Sequence, residues 1–291
     1  MRATRSILIL SMLAAVAAVA PARAEVRYRD PIFAEVDVTP DLPYGEAFDN
    51  FDALVPLLLD LYVPSGDEAT DRAAIVLAHG GGFTSGSRTD GSITALAREY
   101  ASRGFVTVSI GYRTRPPGTP GSPTMQDLIV GSLAGELPDA MHDAQHDMQA
   151  AIRWMRDNAA ELGVDPDLII AGGISAGASM ALETAYNAED PGESGTPGVP
   201  SDIAAAISIS GATDPRRIEM GAPAVMLFNG THDTTAPYPT AVMACGAATA
   251  LLNVCELQTY VGSGHDLDPH RAEIIDLSTD FLCRHVLSAC A

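Results

Sequence analysis

A serine between two glycines, Gly173-Ile174-Ser175-Ala176-Gly177, is the first group in this chain whose setting could support nucleophilic chemistry. It lies between an apolar run, Leu168 to Ala171, and an alanine-rich stretch, Ala176 to Asn187, where a strand would turn sharply into a helix. Small neighbours let such a turn close while the hydroxyl stays exposed, and the helix start adds backbone N–H groups and the positive end of its dipole. A serine hydroxyl is a weak nucleophile. Acyl transfer would also require a base, an acid to orient that base, and donors for a developing oxyanion.

Each has a candidate just past an apolar run. Ala224 to Phe228 leads into Asn229-Gly230-Thr231-His232-Asp233, and Glu256 to Val261 leads into Gly262-Ser263-Gly264-His265. Taken singly these residues are not specific, since Asp233 could cap a helix beginning near Pro237, and His232 and Asp266 stand beside the favoured pair. Upstream, Ala74 to Ala78 runs into His79-Gly80-Gly81-Gly82-Phe83. Glycines there let backbone amides converge on one point, so the amides of Gly81, Gly82 and Ala176 are the candidate oxyanion donors. His79 and Gly80 would order that loop, and Gly173 and Gly177 the serine turn.

These groups must be positioned by a sheet. Strands are expected at Phe33–Val38, Leu57–Tyr62, Ala74–Ala78, Val106–Ile110, Leu168–Ala171, Ala204–Ile209, Ala224–Phe228 and Glu256–Val261, and helices near Thr94–Ser102, Asp139–Leu162, Ala176–Asn187, Pro239–Asn253 and Pro269–Leu287. The later strands are apolar throughout, as buried parallel strands are, and helices separate several of them. That pattern predicts one α/β domain with a mostly parallel, doubly wound sheet of about eight strands and helices on both faces. Arg113 to Pro123 and Ala188 to Ser201, rich in Pro and Gly, read as surface connections.

The order Ser175, Asp233, His265 and the segments Leu57 through Gly86, Val106 to Arg113, Ala151 to Trp154 and Gly173 to Gly177 resemble the α/β-hydrolase esterases with an H-G-G-G loop. Within them the chain is similar to the hormone-sensitive-lipase-like and bacterial feruloyl-esterase-like carboxylesterases, over nearly all of residues 25–291. The resemblance implies hydrolysis of carboxylic esters without a cofactor, and its spacing favours Asp233 and His265 over His232 and Asp266. Ala178 departs from it, standing where many relatives carry a further glycine. No long helical cap precedes the Leu57 strand, and only the 14 residues Ser210 to Pro223 separate two core strands, so no large cap domain is expected and the cleft should be open. A serine peptidase of the prolyl-oligopeptidase type shares the triad order but usually carries a propeller domain. A binding module on the same fold would normally show a broken triad.

His142 and His146, four residues apart on a helix, invite comparison with a zinc site. Asp143 stands where a zinc-protease helix needs Glu, and Met141, Ala144, Met148, Ile152 and Met155 mark a different, core-facing stripe. A solvated helix face and no metal are expected there. Trp154, the only tryptophan, is expected to pack against the sheet.

Across the 291 residues, 17 basic side chains, all arginine, oppose 37 acidic ones for a net charge of −20, while 47% of residues are hydrophobic and 19% charged. That composition suits a folded chain and argues against nucleic-acid binding, since an acidic surface repels phosphates. Partners are instead expected to be small-molecule or polymer-borne esters. Arg2 and Arg5, the apolar stretch Ile7 to Ala20 and Ala22-Arg23-Ala24 have the form of a signal peptide cleaved after Ala24; the apolar stretch is short of the roughly 20 residues a spanning helix needs. Cleavage would leave residues 25–291, secreted or periplasmic, with 14 arginines against 37 acids and a charge of −23. The four cysteines then suit disulfides, and short loops favour Cys245 with Cys255 and Cys283 with Cys290, the latter requiring the helix there to break.

Overall fold

The computed structural model describes residues 25–124, 126–127, 138–186, 192 and 194–290, so the expected signal peptide at 1–24, the helix end at Asn187 and part of the 188–201 connection lie outside the described residues. Eight strands form one sheet: β1 (Val36–Phe48), β2 (Leu54–Pro64), β3 (Arg72–Ala78), β4 (Val106–Ile110), β5 (Val164–Ile174), β6 (Ala205–Ile209), β7 (Ala224–Gly230) and β8 (Cys255–Tyr260). Their spatial order is β1-β2-β4-β3-β5-β6-β7-β8. β2 pairs antiparallel with both β1 and β4, and every other pairing is parallel. The carboxyl ends of β3 to β8 therefore share one edge, where ligands bind in sheets of this kind.

The helices are α1 (Gly91–Ala101), α2 (Asp139–Asp157), α3 (Ala159–Leu162), α4 (Ala176–Tyr186), α5 (Tyr238–Ala250) and α6 (Arg271–His285). Alternation along the strands makes two cores. In β3, Ala74, Val76 and Ala78 face α2, α4 and α5, while Ala73, Ile75 and Leu77 face α1 and α6. Every residue of β3, β4 and β6 is buried, the reason these strands are apolar in sequence. Burying each large aliphatic or aromatic side chain contributes about 1.5–3 kcal/mol, which offsets the entropy of ordering the chain.

Several boundaries differ from expectation. The first strand is not Phe33–Val38 but runs from Val36 to Phe48, through Pro40 and Pro43, with register shifts between Thr39 and Leu42 and between Pro43 and Gly45. It tolerates the prolines because it is an edge strand with bulges, which a linear reading takes for a turn. The helix expected over Asp139–Leu162 breaks at Asn158 (φ −94°, ψ 6°), and α3 ends on Gly163 in the left-handed region (φ 59°). The last strand stops at Tyr260, leaving Val261 87% exposed. Trp154 is half-buried against the core, as expected, but it also lines a 1180 Å³ cleft with Tyr44, His142 and His146. The stripe Met141, Ala144, Met148, Ile152 and Met155 is buried; His142 is exposed, whereas His146 is half-buried rather than fully solvated, because Gly192 packs against its ring.

Cys245 pairs with Cys255 and Cys283 with Cys290, each with Cα atoms 5.4 Å apart. The second pair is possible because α6 ends at His285 and the chain folds back through a 3₁₀ turn at Ser288–Cys290. The first fastens α5 to the start of β8. Replacing both Cys245 and Cys255 by serine should lower stability by about 2–3 kcal/mol, the loop-closure entropy of a ten-residue separation. Thermal melts of the double variant check this, and an unchanged Tm would refute it.

Glu256 of β8 accepts two hydrogen bonds from Arg284 (2.5 and 2.9 Å) and lies 2.8 Å from His285 Nε2, so β8 is also clamped to the end of α6. Hydrogen bonds from Arg284, against some burial, hold the carboxyl down to about 2 from an ordinary 4.5. A carboxylate with a depressed pKa in the folded protein adds stability above its unfolded pKa and loses it as pH falls through the folded value. Glu256→Gln should therefore flatten the loss of Tm between about pH 4.5 and 2; superimposable Tm–pH curves would count against the clamp.

Candidate active site

Ser175 occupies the turn between β5 and α4 with φ 55°, a left-handed conformation uncommon for any residue but glycine. The turn is possible because the end of β3 passes directly against it. A Cβ on Gly173 would lie 2.5 Å from the Ala78 carbonyl oxygen, and one on Gly177 would lie 2.1 Å from the same atom. The flanking glycines are thus imposed by a backbone crossing. Ser175 N donates to Ile209 O (2.8 Å) and Gly177 N to His79 O (3.1 Å), binding the turn to β6 and to the glycine loop.

His265 and Asp233 arrive from the loops after β8 and β7. His265 Nε2 lies 2.7 Å from Ser175 Oγ, and His265 Nδ1 lies 2.8 Å from Asp233 Oδ2. The Asp233 side chain is fully buried, yet its charge is satisfied: Oδ1 accepts from the amides of Thr235 and Ala236 at 2.9 Å each, and Oδ2 from Asn229 Nδ2 at 3.4 Å. His265 stays 29% exposed, so a reactant can approach the imidazole from solvent. His232 and Asp266 are both exposed and outside this series.

The glycine loop lies against the serine. A Cβ on Gly80 would come within 3.3 Å of Ser175 Cβ, and Gly81 takes φ 121° where its carbonyl accepts from the amides of Thr84 and Ser85. Gly82 follows at φ 60°. Gly81, Ser175 and His265 line one pocket of 240 Å³, walled by Leu96, Ile174, Ile209, Leu267 and Ile274. Ala176 is the first residue of α4, so its amide belongs to the helix N-terminus. Hydroxyl, imidazole and carboxylate in series beside a glycine loop can pass a proton from oxygen to nitrogen as the oxygen attacks a carbonyl.

His79 is buried, its Nδ1 2.6 Å from Gly80 O and its ring stacked on Tyr112 at 4.3 Å. Burial pushes its imidazole below the ordinary histidine range, disfavouring the charged form, which suits it to packing. The Tyr112 hydroxyl donates to His79 O (3.0 Å), a contact that sequence reasoning missed. Next to it, Arg113 bonds through its amide (2.8 Å) and guanidinium (2.8–3.1 Å) to Asp147, a fully buried carboxylate of α2, and Ser194 Oγ completes that carboxylate at 2.9 Å. The available signal was an aspartate at an otherwise apolar helix position, with an arginine just beyond a buried strand. His142 and His146 have ring centroids 5.0 Å apart, and no metal-competent group of three or more His, Cys, Asp or Glu occurs among the described residues.

The sequence profile of the carboxylesterase family matches residues 56–188, which takes in the glycine loop and Ser175; Asp233 and His265 lie beyond it. Acetylcholinesterase of Gallus gallus is 35% identical over 127 residues, 42% of this chain and 14% of that protein. Carboxylesterase NlhH of Mycobacterium tuberculosis is 29% identical over 156 residues, 54% of this chain and 42% of that one. The chain thus spans less than half the length of these curated relatives. Among solved structures, the apo form of Thermogutta terrifontis esterase 2 superposes with a TM-score of 0.67 at 26% identity, over 87% of this chain and 95% of that one. By its strand order and its likeness to these proteins, the chain has the α/β-hydrolase fold and is similar to esterases built on it.

Proposed function

We propose that this protein is an exported serine carboxylesterase in which Ser175, His265 and Asp233 form the catalytic triad. The observation that carries the reading is the unbroken series of 2.7 and 2.8 Å contacts beside the glycine loop. His265 Nε2 takes the Ser175 proton as Oγ attacks the ester carbonyl, and the amides of Gly81, Gly82 and Ala176 donate to the oxyanion, a type of stabilisation worth about 10²–10³ in kcat per donor. Asp233 accepts from His265 Nδ1–H and stabilises the imidazolium. His265 then protonates the leaving alcohol, and water repeats the sequence on the acyl-enzyme. A broken triad would have favoured a binding module, and these contacts support the enzyme instead.

The substrate reading follows from volume. At 240 Å³ with apolar walls, the pocket lies below the roughly 300–1,000 Å³ of drug-sized sites and suits a short acyl group. Thermogutta terrifontis esterase 2 has been solved with propionate and with butyrate bound, and phosphorylated by paraoxon, which supports a small carboxylic acid and an organophosphate-sensitive serine in this chain as well. Export is supported by the form of residues 1–24 and by two disulfides, and no helix among the described residues is long and apolar enough to cross a membrane.

Ser175→Ala should lower turnover of p-nitrophenyl acetate by at least about 10⁴-fold, and paraoxon should inactivate the parent but leave the variant unlabelled. Variant activity within about tenfold of the parent would overturn the assignment of Ser175. With the acyl chain lengthened stepwise, kcat/KM should peak at four carbons or fewer; a maximum at long chains would refute the short-acyl pocket. Mass spectrometry of the protein recovered from the exporting cell should show Glu25 at the N-terminus, and an intact Met1 would overturn export by cleavage.

A further inference from the structure

The turn after β6 supplies no group to the proposed reaction, yet it is bonded to the three elements that carry Ser175, Asp233 and His265. Ile209 O accepts from Ser175 N at 2.8 Å. Ser210 N donates to Phe228 O at 2.8 Å, in the strand that runs on through Asn229 to Asp233, and Ser210 Oγ donates to the backbone carbonyl of His265 at 2.8 Å. Two residues on, Ala212 N donates to Ser179 Oγ in α4 at 3.0 Å. Ser210 is completely buried and holds φ 56°, matching the left-handed backbone of Ser175 without being glycine. The turn has little room to shift, since a Cβ on Gly211 would lie 2.4 Å from Ser208 Oγ and 2.8 Å from Ala178 Cβ.

A buried serine kept in a left-handed conformation, where the adjoining residue is already glycine, is costly on backbone grounds, and such conformations cluster where surrounding contacts over-determine them. Its hydroxyl acts on the main chain of the base. Holding the His265 carbonyl restrains the backbone from which its side chain projects, while Asp233 bonds Nδ1 at 2.8 Å and Nε2 lies 2.7 Å from Ser175 Oγ. We propose that Ser210 is a positioning residue that holds the backbone of His265 in register with Ser175. This rests on the triad reading above.

Ser210→Ala and Ser210→Gly test it, because glycine accepts the left-handed backbone that alanine resists and so keeps a folded variant available. Both should lower kcat about 10- to 100-fold, the scale of a small displacement of a catalytic group, with KM within about twofold of the parent. Ser210→Gly should melt at or above the temperature of Ser210→Ala while remaining equally impaired, a separation that a purely structural role would not produce. In resting enzyme the downfield proton resonance of the His265–Asp233 pair should shift or broaden in both variants. A folded Ser210→Gly with kcat within twofold of the parent and an unmoved resonance would overturn the proposal. An inactive parent with that resonance present would instead refute ester hydrolysis, while the variants' resonance would still read the role of Ser210.

Discussion

The close crossing of β3 under the turn between β5 and α4 is the contact on which the rest of the site depends. The Ala78 carbonyl passes so near that neither Gly173 nor Gly177 has room for a Cβ, and the chain between them lifts Ser175 into a left-handed conformation at the edge of the sheet. The same crossing brings the glycine loop against the serine, since that loop is the direct continuation of β3. Two features that look separate in sequence, the H-G-G-G run and the G-x-S-x-G turn, are the two halves of one backbone contact. A substitution at either glycine therefore acts on Ser175 and on the glycine loop together.

Around that crossing, polar groups are buried in pairs that tie distant parts of the chain to the site's edge. Arg113 and Asp147 join the end of β4 to α2, and the charge is affordable only because amide, guanidinium and Ser194 hydroxyl all reach the carboxylate. Removing one partner of such a pair costs about 3–5 kcal/mol, far more than the pair adds over an apolar replacement. Tyr112, one residue earlier, passes this fixed position to the His79 carbonyl. A chain of contacts thus runs from the glycine loop through Tyr112 and Arg113 to α2.

What could be read from sequence was what is local. Ser175, Asp233 and His265 each follow an apolar run, so their place at one edge of a parallel sheet was legible, and the core face of α2 was legible from its methionine and alanine spacing. The first strand was misplaced because Pro40, Asp41 and Pro43 carry the composition of a turn, and only an edge position with bulges reconciles them with a ladder. Ser210, Tyr112 and the Arg113–Asp147 clamp were invisible for a different reason. Their partners lie 55, 33 and 34 residues away, and nothing in a hydroxyl or an arginine names its partner before the chain has folded.

The position of the disulfides bears on timing. Cys245–Cys255 anchors the strand that leads to His265, and Cys283–Cys290 fastens the helix that follows it. Ser175 and the glycine loop belong to the first two-thirds of the chain, whereas His265 follows β8, the last strand in sequence and an edge strand of the sheet. On the proposed reading, His265 is the last member of the triad to be synthesised, and the two disulfides that flank it would form only beyond the reducing cytosol.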